Sequence, residues 1–391
     1  MYNFTFYSPT RIIFGKDSVP KIIPELKTAK ISSVLLLTGG KSIYASGLYA
    51  TVTGLLQSAG ISFETVSGVQ TNPRLSKVRE AIRVVKAKKL QAILPVGGGS
   101  VFDSAKAIAA GSVSEHDIWD IYTGKYPVEG ALPIYGILTL SGTSSESNNT
   151  GVLNNEETRD KFPIANDLLI PKVAIVDPLL QYSVPLAQVR SSGLDALTHI
   201  LEAYFEGVDS TSEVIVEHCE TYARRIIRSL NALPAGLHDY DVRAQLAFCS
   251  VYAHSGWASV GRNRRGDFSS HRIGHSLGGL FDVPHGVTLG IIMPNWMQHA
   301  YDKGLAHPAF ARFATNILGI TEAPGKDFAL AGVKAFKDFV RSLEMPTTLT
   351  EVGVKEADIP ALTEHALKTL PFGCVMPMDA PTISAIFKRA L

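Results

Sequence analysis

The sequence predicts an α/β protein in two parts, a parallel-sheet domain over residues 1–182 and an all-helical domain over 183–391. Three observations predict it. Short apolar β-type runs alternate with amphipathic helical stretches up to about residue 177, as in a parallel sheet covered by helices. Two of those runs end in glycine clusters, Gly39-Gly40 and Gly97-Gly98-Gly99. After Asp177-Pro178 helical periodicity dominates and strand-like runs become rare. A chain of 391 residues also favours two domains on length alone.

The elements follow in order. Ser33 to Thr38 is a buried strand closed by Gly39-Gly40, and a helix runs from about Ile43 to Ala59. Ile61 to Val66 alternates as a second strand. Leu75 to Lys88 is amphipathic, with Val78, Ile82 and Val85 on one face. Gln91 to Val96 is a third strand, broken by Gly97-Gly98-Gly99-Ser100, and Val101 to Ala110 is helical. Pro133 to Leu140 and Lys172 to Val176 supply further strands. The second half reads as helices over Ser191 to Phe205, Glu213 to Leu230, Arg243 to Ala258, Ser270 to Leu280 and Ala331 to Leu343.

Composition excludes several function classes. Hydrophobic residues make up 46% and charged residues 19%, a balance that suits a packed enzyme and not a disordered chain. A net charge of +1 gives no reason to expect nucleic acid or an anionic membrane as partner. Cys219, Cys249 and Cys374 are odd in number and widely spaced, with no Cys-x-x-Cys, so reduced thiols are expected. Met1 to Pro9 does not read as a signal peptide, and no apolar run is long enough for a bilayer. The expected location is the cytoplasm.

Gly97-Gly98-Gly99-Ser100 lies between a strand and a helix start, where bare backbone N–H groups and the helix dipole suit a pyrophosphate. A ligand-free tight turn fits the same residues. Asp103 suits the start of that helix in any case, and Lys106 reads equally as a solvated face. Thr38-Gly39-Gly40-Lys41-Ser42 offers glycines, a lysine and a hydroxyl where an acidic residue would select an unphosphorylated ribose. The segment points to NADP(H) over NAD(H). Thr139-Leu140-Ser141-Gly142-Thr143-Ser144-Ser145-Glu146 could bind phosphate or a nicotinamide amide, or simply cap a helix.

Asp195 and His199 stand four apart on a predicted helix, and so do His271 and His275; His285 follows after Val283-Pro284. One carboxylate and three imidazoles make a four-ligand site for a divalent first-row metal. Each histidine alone is more often an ordinary buried polar residue. Arg262, Arg264 and Arg265 form a short basic cluster, read as a solvated loop or, secondarily, as an attractor of anionic substrate.

Taken together, these segments resemble the iron-containing (group III) alcohol dehydrogenases over nearly the whole chain, in the butanol dehydrogenase and NADPH-dependent aldehyde reductase branch. The most specific pieces are Gly97-Gly98-Gly99-Ser100 with Asp103 and Lys106, and the set Asp195, His199, His271, His275 and His285. The resemblance implies a Rossmann-like dinucleotide-binding domain, an all-helical domain and a metal in the cleft between them, the dehydroquinate synthase-like architecture. It implies Asp195, His199, His271 and His285 as ligands to Fe²⁺ or Zn²⁺, with His275 close by and catalytic. It implies cofactor contacts from Gly39, Gly40, Lys41, Ser42, Gly97, Gly98, Gly99, Ser100, Asp103, Thr139, Ser141, Thr143, Ser145 and Lys161. Gly40 falls where NAD-preferring relatives often carry an acidic residue. A homodimer is expected through edge strands, for which Phe4 to Phe14 is the candidate. The segment Arg262 to Asp267 looks longer and more basic than in that branch, which leaves the substrate open.

The expected activity is metal-dependent hydride transfer between NADP(H) and a small alcohol or aldehyde. The metal would act as Lewis acid and His275 would relay a proton. The rivals are a zinc-dependent glycerol-type dehydrogenase using NAD, a cyclase such as dehydroquinate synthase, and a catalytically silent nucleotide-binding sensor.

Overall fold

The computed structural model describes residues 1–206, 213–262 and 266–391. Two compact units divide the chain. One comprises Tyr7–Pro185 with Gly236–Val251; the other comprises Met1–Phe6, Leu186–Ala235 and Tyr252–Leu391.

The first unit is built on eight strands: β1 (Arg11–Phe14), β2 (Ser33–Thr38), β3 (Ser62–Val66), β4 (Ala92–Gly98), β5 (Tyr135–Leu140), β6 (Thr150–Asn154), β7 (Lys161–Ala165) and β8 (Val173–Val176). Six form one parallel sheet in the order β1-β8-β5-β4-β2-β3. Successive residues of β2 feed opposite faces. Leu35 and Leu37 enter one core cluster while Val34 and Leu36 enter the other, all fully buried. A sheet covered on both faces needs such continuous apolar runs, and each buried Leu or Val contributes roughly 1.5–3 kcal/mol.

Strand order positions the glycine clusters. β3 lies on one side of β2 and the chain then crosses back to place β4 on the other, with Thr38 beside Val96. Neighbouring strands β2 and β4 therefore end in Gly39-Gly40 and Gly97-Gly98-Gly99 where the connections change direction. Ligands bind at such a crevice in open α/β sheets.

Several elements differ from the sequence expectation. The helix expected over Ile43 to Ala59 is two, Ser42–Ala45 and Leu48–Ser58, separated at Gly47 with φ +76°. The strand candidate Phe4 to Phe14 shrinks to β1, an edge strand paired with β8. The antiparallel hairpin β6–β7 was not anticipated, because Gly151 and Pro163 argue against strands. Both of its strands are edges, so Pro163 can sit where no outward donor is needed. Gly236–Val251, expected with the helical domain, packs in the sheet unit. There Arg243 donates to the Gln181 carbonyl at 2.6 Å, and the hydroxyls of Ser144 and Ser147 donate to the carbonyls of Ser250 and Val251.

The helix Gly99–Val113 leaves the glycine loop and carries a buried charged group. Asp103 accepts from the Ser145 hydroxyl at 2.6 Å and from the Val152 N–H at 3.2 Å, tying the helix to hairpin β6–β7. Lys106 is fully buried, not solvated as its position allowed. Its ammonium donates to Asn148 Oδ1 and the Thr150 carbonyl, both at 2.7 Å. Burial pulls the Lys106 ammonium down to about 7, against the pull of Asp103 and Glu146. Glu146 is fully buried, and neither carboxylate oxygen meets another residue's donor. Burial pushes its carboxyl up to about 7, against the pull of its own N–H and of Lys106.

The regular elements of the second unit are all helices among its described residues, with Leu186–Tyr204, Glu213–Gly236, Ser269–Phe281, His285–Asp302 and Phe328–Ser342 as the longest. The sequence reading missed His285–Asp302, whose interior Pro294 and two glycines weaken the helical signal. No helix among the described residues is long and apolar enough to cross a membrane. Cys219, Cys249 and Cys374 form no disulfide.

Two predictions follow from this packing. A Cβ on Gly136 of β5 would run into the Phe102 ring, whereas one on Gly54, inside Leu48–Ser58, would meet nothing within 4 Å. Thermal unfolding should show Gly136→Ala losing about 1–3 kcal/mol and Gly54→Ala unchanged or slightly stabilised; equal effects would contradict the assigned packing. Glu146 has a folded pKa raised above its ordinary 4.5, so its ionisation removes stability as pH rises from 4.5 to about 7. Glu146→Gln should therefore raise the melting temperature relative to wild type more at pH 7.5 than at pH 5, and a pH-independent difference would refute the buried carboxylate.

Candidate functional site

In the sheet unit the two glycine segments are shaped by what a side chain would strike. A Cβ on Gly97 would enter the Val101 side chain, and one on Gly99 would enter Thr143. A Cβ on Gly98 would sit 3.3 Å from Leu140 Cβ. The loop therefore lies directly against the Thr139 to Ser145 segment, and Ser100 stands in the first turn of the helix. Thr139 ends near the carboxyl end of β5 and is half-buried. Thr143 Oγ1 accepts from the Ser145 N–H at 3.1 Å. Ser141 is buried and exchanges two hydrogen bonds with the Gln181 amide. Asp103 and Ser145 are occupied with each other. Lys161, at the start of β7, is buried and donates to Asn72 Oδ1 at 2.7 Å. Gly39 is half-buried, and Gly40, Lys41 and Ser42 are exposed beyond β2. So Ser141, Ser145, Asp103 and Lys161 have structural partners within the chain, while Gly40, Lys41 and Ser42 form an accessible rim.

In the helical unit three helices bring one carboxylate and several imidazoles together. Asp195 and His199 are one turn apart on Leu186–Tyr204, both buried. His271 and His275 are one turn apart on Ser269–Phe281, and His285 is the first residue of His285–Asp302. Asp195 Oδ1 lies 3.6 Å from His199 Nδ1, 3.4 Å from His271 Nε2 and 3.5 Å from His285 Nε2. Ligand atoms of Asp195, His199 and His271 all fall within 4.8 Å of one another. The His275 ring centroid is 5.6 Å from that of His285.

Glycines make the approach of the helices possible. A Cβ on Gly286 would collide with the Ser191 carbonyl, so a bare residue beside His285 lets that helix start against Leu186–Tyr204. A Cβ on Gly274 would sit 2.7 Å from Thr288 Oγ1, so this glycine, from which the sequence reading drew nothing, seats Ser269–Phe281 against His285–Asp302.

The electrostatics fit a cation. Asp195 Oδ1, His199 Nδ1 and His271 Nε2 are buried without a hydrogen-bond partner. Burial drives His199 well below its usual range despite the attraction of Asp195, so it stays neutral with a lone pair. Burial pushes the Asp195 carboxyl up, but His199 and His271 outweigh it and hold it below the usual value. Burial pulls His271 down, but Glu202 and Asp195 prevail and lift it to about 9. Three buried donor atoms that lack partners and face one another are what a divalent ion satisfies.

The sequence reading missed two neighbours. His254 stacks on His199 with ring centroids 4.3 Å apart. Glu202 is fully buried, and its carboxylate meets His271 Nδ1. Neither belongs to an i, i+4 histidine pair, which was the signal followed. Arg262, read as part of a solvated loop, instead donates to the Ala203 carbonyl at 2.6 Å; Arg264 and Arg265 lie outside the described residues. Asp267 is buried and accepts from the N–H groups of Ser269, Cys374 and Val375.

The chain resembles known proteins over its whole length. Residues 9–178 match the family described as iron-containing alcohol dehydrogenase, and residues 189–391 match the C-terminal part of the same family. The chain is 34% identical over 393 residues to the "Probable NADH-dependent butanol dehydrogenase 1" of Bacillus subtilis, with all of both chains covered. It is 30% identical over 381 residues to the "NADPH-dependent aldehyde reductase YqhD" of Escherichia coli, covering 95% of each. A crystal structure of NADH-dependent butanol dehydrogenase A from Thermotoga maritima superposes with a TM-score of 0.95 at 41% identity, covering 100% of this chain and 99% of that one. The chain belongs to the iron-containing alcohol dehydrogenase family.

Proposed function

We propose that the chain is a metal-dependent oxidoreductase that moves a hydride between NADP(H) and a small alcohol or aldehyde. Asp195, His199, His271 and His285 would hold Fe²⁺ or Zn²⁺, since mixed carboxylate and imidazole donors suit either ion. The observation that carries this reading is one buried carboxylate oxygen with three imidazole nitrogens at 3.4–3.6 Å. When bound, the ion supplies Lewis acidity at the substrate oxygen and the nicotinamide supplies the hydride chemistry.

The chain's own residues bind, orient and move a proton. Backbone N–H groups of Gly97, Gly98, Gly99 and Ser100, at a helix start, receive the cofactor's pyrophosphate. Thr139, Ser141, Thr143, Ser145 and Lys161 complete that crevice, with Asp103 holding Ser145 in place. His275, buried one turn beyond His271, passes a proton between the substrate oxygen and solvent. The preference for NADP(H) rests on the rim Gly39-Gly40-Lys41-Ser42, which has no carboxylate to repel a 2′-phosphate and offers Lys41 to attract one. Relatives named for NADH and for NADPH both exist, so this segment carries the preference alone. On this reading residues 1–182 supply the dinucleotide domain and 183–391 the metal domain, save that Gly236–Val251 packs with the first and Met1–Phe6 with the second. Free thiols suit the reducing cytoplasm, and edge strand β1 is the surface on which a homodimer would form.

Turnover of short aldehydes with NADPH should vanish after chelation and return with Fe²⁺ or Zn²⁺; activity indifferent to chelator would defeat the metal assignment. His275→Ala should keep its metal while kcat falls by about 10²–10⁴-fold, and loss of metal in parallel would make His275 a ligand. A higher kcat/KM with NADH than with NADPH would overturn the reading of Gly40 and Lys41.

A further inference from the structure

Glu202 has no part in the function proposed above, yet its surroundings are specific. It lies on Leu186–Tyr204, seven residues beyond Asp195 and three beyond His199, and is fully buried. Its Oε1 accepts from the backbone N–H of Ser270 at 2.7 Å and of His271 at 3.3 Å. Its Oε2 meets Nδ1 of the His271 imidazole. Two backbone N–H donors at the start of a 13-residue helix thus fix Oε1 as an acceptor and hold Oε2 against the ring. With both oxygens so placed, the ring meets the carboxylate through Nδ1. Nε2 is therefore the ring nitrogen that faces Asp195 Oδ1, at 3.4 Å, where a bound cation would take its lone pair in place of a proton.

We propose that Glu202 is a positioning residue that fixes the tautomer and ring direction of His271, so that Nε2 is presented as a ready ligand. The inference rests on the reading of Asp195, His199, His271 and His285 as a cation site. A ring nitrogen bound to a metal must be unprotonated, and a carboxylate on the opposite nitrogen both enforces this and raises the ring's basicity. Glu202 does so from the helix that carries Asp195 and His199, so three groups of the site share one rigid element. The same carboxylate anchors the first turn of Ser269–Phe281, which sets the position of the His271 backbone along with its ring.

Glu202→Gln separates this role from simple anchoring. The amide oxygen can still accept from the N–H groups of Ser270 and His271, while the amide nitrogen now donates toward Nδ1. His271 must then accept there and carry its proton on Nε2, the wrong tautomer for a ligand. Glu202→Asp keeps the acceptor chemistry but is one methylene short. Zn²⁺ titration of the metal-stripped full chain, followed by calorimetry, should give one site in the wild type. In Glu202→Gln its Kd should be about 10–100-fold weaker, and weaker than in Glu202→Asp, while the melting temperatures of the metal-free proteins stay close. If Glu202 only anchors the helix, the order reverses, because the isosteric Gln fits better than the shorter Asp. Equal Kd in wild type and Glu202→Gln would overturn the proposal. Absence of a Zn²⁺ site in the wild type would instead overturn the metal reading beneath it. Should Glu202→Gln fail to fold, Glu202→Asp with unchanged Zn²⁺ affinity would overturn the proposal, and a weaker Kd at an unchanged metal-free melting temperature would support it, since lost anchoring would lower both.

Discussion

Three helices of the helical unit meet around one buried oxygen, Oδ1 of Asp195. Three imidazole nitrogens from three helices converge on it at 3.4–3.6 Å, and it accepts no hydrogen bond. A carboxylate withdrawn from water costs several kcal/mol unless a positive charge compensates it. The fold nevertheless builds the approach deliberately. Gly286 gives up its side chain so that the His285 helix can start against Ser191, and Gly274 does the same opposite Thr288. Both glycines let the helices approach closely enough to bring the donor atoms together. Glu202 extends the arrangement by one layer, since it joins the Asp195 helix to the backbone and the ring of His271.

The sheet unit applies a different constraint at its glycine crevice. Here backbone must be exposed to a ligand, so side chains are removed from the loop and rigidity is supplied from behind it. Asp103, Ser145, Lys106, Asn148 and the Thr150 carbonyl form a buried polar set that locks the first two turns of Gly99–Val113 onto hairpin β6–β7. Asp103 and Ser145, candidates for direct cofactor contact on their sequence position, satisfy each other in the structure. Glu146 remains a buried carboxylate held near neutrality by its surroundings.

What could be read in the sequence was what depends on local periodicity. The strands β2, β3, β4, β5 and β8 were visible as apolar runs, and Asp195, His199, His271 and His275 were visible because four-residue spacing puts two side chains on one helix face. His285 was visible only as a histidine after Val283-Pro284, since Pro294 and the glycines of its helix hid the helix itself. What escaped depends on tertiary contacts. Glu202 earns its place through the N–H groups of Ser270 and His271, nearly seventy residues away, and no spacing announces it. Lys106 reads as a surface lysine until Asn148 and Thr150 are seen to enclose it. Gly236–Val251 joins the sheet unit through Arg243 and two serine hydroxyls, a destination its helical pattern does not encode.

Membership of the iron-containing alcohol dehydrogenase family gives the donor set a chemical context, and the geometry gives it a location. The most direct test is anomalous diffraction from crystals of the protein loaded with Fe²⁺ or Zn²⁺. A single strong peak within about 2.0–2.2 Å of Asp195 Oδ1, His199 Nδ1 or Nε2, His271 Nε2 and His285 Nε2 is the expected result. A metal-loaded crystal whose peak lies away from these four side chains would contradict the account.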